Sequence, residues 1–220
     1  MVYNESDIKR VVAEVVGKYL NNSESPIKTE VKNDILLEVS ARHVHLTDDA
    51  LKILFGEGAT LAKKRMLSQP GEFASEQRVK LVTAKGVIDN VAVLGPTRKA
   101  VQVELSATDC RQLGIKAPVN LSGDLTGAGN VILVTEKGVF EAKNSVIIAR
   151  AHIHLTPKDA YARKLKNGQT VSVKIKSKRP VTLNGVEVRV NENFAEACHI
   201  DFDEANAALV EDGTKAEIVY

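Results

Sequence analysis

Hydrophobic positions follow two different rhythms along the chain. Over residues 6–20, SDIKRVVAEVVGKYL, the residues Ile8, Val11, Val12, Val15, Tyr19 and Leu20 recur at the spacing of one helical stripe. Ser6 is the expected N-cap, and Asp7 suits the positive end of the helix dipole. The polar stretch NNSESP, closed by Pro26, then predicts a linker. From about residue 28 the rhythm becomes that of strands. Runs such as DILLEVSARHVHL, RVKLVTAKGVIDNVAVLG, AVQVEL, GNVILVTEKGVFEA, SVIIARAHIHL, TVSVKIKS and VEVRVNENF are rich in Val and Ile and are broken by Gly, Pro, Asn and Lys-Gly turns.

This spacing predicts a mainly β fold with short capping helices at about 47–55, 107–113, 157–165 and 203–210. Thr47, Ser106 and Thr156-Pro157 supply start signals, Asp203 is expected to open the last helix, and Gly114 supplies a stop. The stretch ARHVHLTDDA at 41–50 returns as AHIHLTPKDA at 151–160, and its histidines are offset by 109 residues. A repeat of that length is a duplication and not a solenoid. The expectation is two related β-barrels preceded by an amphipathic helix. The regions are 1–26 (helix and linker), 27–140 (first barrel) and 141–220 (second barrel), with strands open to exchange between the barrels.

Composition narrows the function classes. Thirty basic residues against 28 acidic ones give a net charge of +2, with no Lys/Arg run dense enough for a nucleic-acid surface or an anionic membrane. The N-terminus lacks a secretory pattern, and no window approaches a membrane span, so a cytoplasmic protein is expected. Cys110 and Cys198 form no metal-knuckle spacing, which leaves histidine and carboxylate as metal ligands.

Four of the five histidines stand in the two His-x-His pairs. Strand residues i and i+2 point to one face, about 6.6 Å apart, so His43/His45 and His152/His154 each aim two imidazoles into one volume. A single His-x-His is expected only about 0.1 times in such a chain by template counting. Two in matching contexts favour a metal site over satisfied core histidines, although duplication copies a pair without further improbability. His199, in EACHIDFDEANAA, is the natural third ligand for one pair. Cys198 falls on the opposite strand face, as a buried thiol. For the other pair, Glu104 shares a face with Gln102 in AVQVELS, where a solvated strand face is the ordinary reading.

The motifs SARHVHLT, ARAHIHLTP, QPGEFA, VLGPTRKAVQVELSATD, NLSGD and HIDFDEANAA resemble, in order from about residue 33 to the C-terminus, those of the PduL-type phosphotransacylases, or phosphate propanoyltransferases. The resemblance implies two β-barrels, exchange of phosphate and coenzyme A on a short acyl group, and a dinuclear zinc centre. It implies His43, His45 and Glu104 as ligands of one zinc, and His152, His154 and His199 as ligands of the other. It also implies Arg98 as the catalytic, phosphate-binding arginine and Ser122 as a second phosphate contact. Acyl-CoA and phosphate are then the substrates. A homodimer is expected, and residues 1–26 resemble helices that direct some family members to the shell or cargo of a bacterial microcompartment.

Direct attack of phosphate on the thioester is the preferred route, because a covalent acyl-enzyme needs a nucleophile beside a base and neither cysteine lies in such a motif. Arg98 supplies a planar fork suited to phosphate. Six extended residues would hold it about 20 Å from Glu104, so the chain is expected to curl after Pro96 or to present Arg98 from a loop. Arg150 is a second anion-binding candidate by strand parity, beside the ordinary reading of a surface strand arginine. The competing functions are a zinc-dependent thioester hydrolase and a non-catalytic, zinc-stabilised binding module.

Overall fold

The computed structural model describes residues 33–220 as one compact unit, together with residues 9, 11, 12 and 14, which are helical and exposed. Apart from those four positions, the expected N-terminal helix and linker lie outside the described residues.

Residues 33–220 form two barrels. In the first, β2 (His43–His45), β4 (Phe73–Val82), β5 (Val87–Gly95), β6 (Gln102–Leu105), β8 (Gly129–Val134) and β9 (Val139–Ala149) close in the order β4-β5-β2-β6-β9-β8 and back to β4. Two short strands, β3 (Lys63–Met66) and β7 (Val119–Asn120), extend this sheet at β4 and β9. The second barrel closes β1 (Asp34–Ser40), β13 (Ala197–Asp201), β10 (His152–Leu155), β12 (Val181–Val190), β11 (Thr170–Ile175) and β14 (Lys215–Val219) in that order.

The pairing repeats between the barrels. Each His-x-His strand runs parallel to the second strand of a hairpin (β5 or β12) and antiparallel to the strand carrying Glu104 or His199. The sixth position is filled reciprocally. Strand β9 stays in the first barrel and hands the chain over Arg150-Ala151 to β10 in the second, whereas β1 lies in the second and hands it over Ala41-Arg42 to β2 in the first. The sheets therefore depart from the expected regions 27–140 and 141–220 in two places: β1 pairs with the C-terminal strands, and β9 extends the first sheet to residue 149. The apolar run before each His-x-His reads as one continuous strand, but a chain passing between two barrels must turn there.

Alternation decides what each barrel encloses. Val44, Leu46, Val103 and Leu105 point into the first core, and Ile153, Leu155, Cys198 and Ile200 into the second. The histidines and Glu104 are thereby turned to the outer faces.

Four helices cap the barrels: α1 (Asp48–Phe55), α2 (Ala107–Leu113), α3 (Pro157–Ala162) and α4 (Phe202–Ala208). The hydroxyls of Thr47, Ser106 and Thr156 accept from backbone N–H groups of the first turns, as their positions predict. Two departures are local. The third helix stops at Ala162, before Lys164 adopts positive φ. The last is capped by Asp201 and not Asp203, because Asp201 and Glu204 form a reciprocal capping box.

Turns of the first barrel lock onto helix ends. Thr83 Oγ donates to the Leu113 carbonyl at 2.6 Å, and Thr135 Oγ donates to that of Leu54. Gly86 and Gly138 complete these TAKG and TEKG turns where the backbone of Gln112 and Ile53 leaves no space for a Cβ.

The capping box has a pH consequence. Burial raises the Glu204 carboxyl to about 7, with Asp201 and Asp203 adding repulsion against the opposing hydrogen bond from the Asp201 N–H. A carboxyl whose folded pKa is raised favours the fold while protonated, and that contribution is lost as pH rises from about 4.5 through about 7. Glu204→Gln keeps an acceptor for the Asp201 N–H and removes the charge. It should melt above the wild type at pH 8, by on the order of 1–2 kcal/mol, and match it near pH 5. Thermal melts at the two pH values measure this, and an equal difference at both would show that charge is not the cause.

Candidate active site between two histidine clusters

Register brings the two His-x-His strands their third partners. His43 stands opposite Glu104 across β2 and β6, and His152 stands opposite His199 across β10 and β13. Because opposed residues project to the same side of an antiparallel pair, each forms a cluster with the second histidine of its motif. In both His43/His45/Glu104 and His152/His154/His199, one nitrogen or oxygen per residue lies within 4.8 Å of those of the other two. His43 Nε2 is 3.6 Å from Glu104 Oε2, and the His152 and His199 rings stack at 5.1 Å. His43, His45, Glu104, His152 and His154 are buried although they project from the barrel cores.

The ring nitrogens are arranged for donation of lone pairs. His43 Nδ1 donates to the Ala41 carbonyl at 2.7 Å and His152 Nδ1 to the Arg150 carbonyl at 2.8 Å, so that in the neutral form of each ring the lone pair is on Nε2. His45 Nδ1 and both nitrogens of His154 are buried with no hydrogen-bond partner. Such orphaned atoms cost about 1–3 kcal/mol each unless something binds them. Burial holds the His154 pKa down to about 2 and that of His199 to about 3, in each case with a neighbouring imidazole adding to the effect. It also lowers His152 and takes His45 well below the ordinary value. These are neutral imidazoles, the form that ligates a cation.

Glu104 gives the first cluster a different charge. Burial opposes its ionisation, but His43, by charge and by hydrogen bond, holds it well below the usual carboxylate range. On His43, burial is outweighed by the combined pull of Glu104 and Ala41, and the pKa is raised. The Glu104 charge also favours protonation of His152 and His199, so the two clusters share one electrostatic environment.

Arg98 reaches the first cluster from the loop after Gly95, where its backbone N–H donates to the Leu46 carbonyl at 2.8 Å. Its guanidinium donates to Glu72 Oε1 at 2.9 Å and to Ser122 Oγ at 3.0 Å. An open hollow of about 630 Å³, lined by Thr47, Asp48, Asp49, Thr97, Arg98 and Lys99, adjoins it. Arg150 is half exposed, in an ion pair with Glu187.

Gln102 joins these parts, and sequence reasoning gave it no role. Its amide donates to Glu104 Oε1 at 2.5 Å and to Ser122 Oγ at 2.9 Å, while its oxygen accepts from the Gly123 N–H at 2.8 Å. Strand parity with Glu104 was the available signal. Arg189, opposite His154 in register, and Phe194, stacked on the His154 ring at 3.9 Å, were also passed over. Nothing in their local sequence marks them. The cysteines take no part, since burial pushes Cys110 up to about 11 and Cys198 up to about 12.

The family model described as phosphate propanoyltransferase matches residues 36–211. A phosphate propanoyltransferase of Alkaliphilus metalliredigens is 43% identical over 98% of this chain and 99% of its own length. Those of Clostridioides difficile and Priestia megaterium are 44% and 45% identical, over 91% and 96% of this chain and 97% and 94% of theirs. The chain belongs to the phosphate propanoyltransferase family and is an enzyme of the phosphotransacylase class.

Proposed function

We propose that the protein interconverts a short-chain acyl-CoA (propanoyl-CoA or acetyl-CoA) plus phosphate with acyl phosphate plus CoA, at a site holding two zinc ions. The observation that carries this reading is the pair of three-ligand clusters with orphaned imidazole nitrogens, the first of them joined from Glu104 through Gln102 and Ser122 to an arginine. Three protein ligands for each zinc leave room for substrate, which a closed structural site with four ligands does not. His43, His45 and Glu104 would hold one ion, and His152, His154 and His199 the other. Bound zinc would supply positive charge to stabilise the thiolate sulfur and polarise the acyl group.

The residues divide the remaining work. Arg98 offers a fork for phosphate oxygens, prepared by Glu72 and Ser122, and orients phosphate for attack on the thioester carbonyl. The carbon–sulfur bond breaks, CoA departs as thiolate and the acyl–oxygen bond to phosphate forms. Gln102 holds Glu104 in place. Direct transfer fits the two deeply buried, high-pKa thiols, which offer no accessible sulfur nucleophile.

A CoA-release assay with acetyl-CoA and propanoyl-CoA, with and without phosphate, before and after chelation, tests the reading. Release should need phosphate and be lost on chelation and regained with zinc. Release without phosphate would identify a hydrolase instead, and a folded zinc protein with no release would be a binding module. Arg98→Lys keeps the charge but loses the fork. KM for phosphate should rise roughly tenfold, as expected for one lost charge-assisted hydrogen bond, while KM for CoA changes less. Unchanged phosphate kinetics would remove Arg98 from the site.

Residues 1–26 lie outside this machinery in the proposal. Their apolar stripe and polar tether suit docking to a shell or cargo protein of a microcompartment, while the enzymatic part associates as a homodimer. Deleting residues 1–26 should leave zinc content and specific activity intact and reduce co-purification with shells. Loss of zinc with cooperative unfolding at much lower temperature would place the segment in the folded core.

A further inference from the structure

The two clusters do not use their carboxylates alike. The position of Glu104 in the first barrel is taken by His199 in the second, since each opposes the first histidine of its pair. One strand further, Ile147 pairs with Glu104, and Glu38 pairs with His199. Glu38 and Ile147 are themselves 109 residues apart, the offset of the duplication. The second cluster thus has three imidazoles, with its carboxylate one strand away.

That carboxylate is held against Nδ1 of His199. Glu38 Oε2 lies 3.6 Å from His199 Nδ1 and accepts from Ser68 Oγ at 2.5 Å. Gln69, the next residue, lies on the other side of the ring, with its Nε2 3.4 Å from His199 Nε2. The orientation of the Gln69 amide follows from Ala195: Nε2 donates to the Ala195 carbonyl at 3.0 Å and Oε1 accepts from the Ala195 N–H at 3.2 Å. An amide nitrogen facing His199 Nε2 requires a lone pair there, so the proton sits on Nδ1, toward Glu38. His43 and His152 have backbone carbonyls for this purpose. In His199 the role passes to a side chain, and Ser68 and Gln69 come from the loop between β3 and β4 of the other barrel. Glu72 of the same loop holds Arg98.

We propose that Glu38 is a positioning residue that, clamped by Ser68, holds His199 in its Nδ1–H tautomer and aims the Nε2 lone pair into the three-histidine cluster. Carboxylates that orient metal-bound histidines affect metal affinity about 10–100-fold. The inference rests on zinc binding as proposed above, and one experiment separates the two. Full-length wild type, Glu38→Gln and Glu38→Ala are titrated with zinc against a chromophoric chelator, and the ¹⁵N shifts of His199 are recorded in the metal-free proteins.

Wild type should bind two ions, and failure to do so would overturn the zinc reading itself. Glu38→Ala should weaken one of the two about 10–100-fold, leave the other unchanged, and shift His199 toward the Nε2–H form. Glu38→Gln, whose oxygen still accepts from Nδ1–H, should lose much less. The proposal is overturned if Glu38→Ala, with its metal-free melting temperature intact, binds both ions as wild type does or keeps the His199 tautomer. Equal damage from Gln and Ala would also overturn it, since charge or direct ligation would then be the cause. Should Glu38→Ala fail to fold, Ser68→Ala, which releases the clamp and leaves the carboxylate, should give a smaller loss at the same ion. No loss there would overturn the proposal.

Discussion

His45→Ala and His152→Ala, made separately, should each lower phosphate-dependent CoA release by at least about a hundredfold. Each removes one of three imidazole or carboxylate donors from its cluster, and no other group in the cluster can substitute. The Nδ1 of His45 is buried and has no hydrogen-bond partner. His152 makes one bond, from Nδ1 to Arg150, and keeps its other nitrogen for the cluster. Initial rates with saturating zinc, alongside zinc content and a far-UV spectrum, provide the measurement. Near-normal turnover in a folded variant depleted of metal would mean that the ions do not serve the reaction. Activity lost with both ions retained would instead assign the histidines a role other than ligation.

The largest effect on stability is expected from Gly138→Ala. A Cβ at this position would overlap the carbonyl of Ile53 and crowd the Cα of Leu54, backbone atoms of a helix whose end is bound by Thr135. Backbone cannot swing aside as a side chain can, so the turn and α1 must separate. The cost is on the order of 2–4 kcal/mol, at the severe end for overpacking. Denaturant midpoints with an unchanged m-value measure it. Gly168→Ala is a useful contrast, since no atom lies near its Cβ but its φ of +75° still strains the chain. A milder loss there would separate steric overlap from backbone strain.

Much of the site was legible because it is local. His-x-His on a strand needs only a period of two to point both rings one way, and Thr47, Ser106 and Thr156 announce their helices through hydroxyl caps that act within three residues. The Glu104 position was readable as a face, shared with Gln102, and the resemblance grouped it with His43 and His45, but its place opposite His43 was not readable. Only the register of β6 against β2 sets Glu104 opposite His43, and a shift of one residue would have turned it into the barrel core. Arg98 shows the same division. Its distance problem was visible in the chain, whereas its solution, a loop tied to Leu46 and braced by Glu72 and Ser122, depends on elements far away in sequence.

By itself, the sequence determined the β-rich class, the duplication and the identity of the ring-bearing residues, because these follow from periodicity and residue chemistry within short windows. Tertiary structure alone decided that β1 and β9 cross between the barrels, that Gln102 links Glu104 to Ser122, and that Glu38 and Gln69 flank His199. Each of these is a contact between strands or loops, and pairing energies between such segments depend on register and closure, which no local pattern encodes.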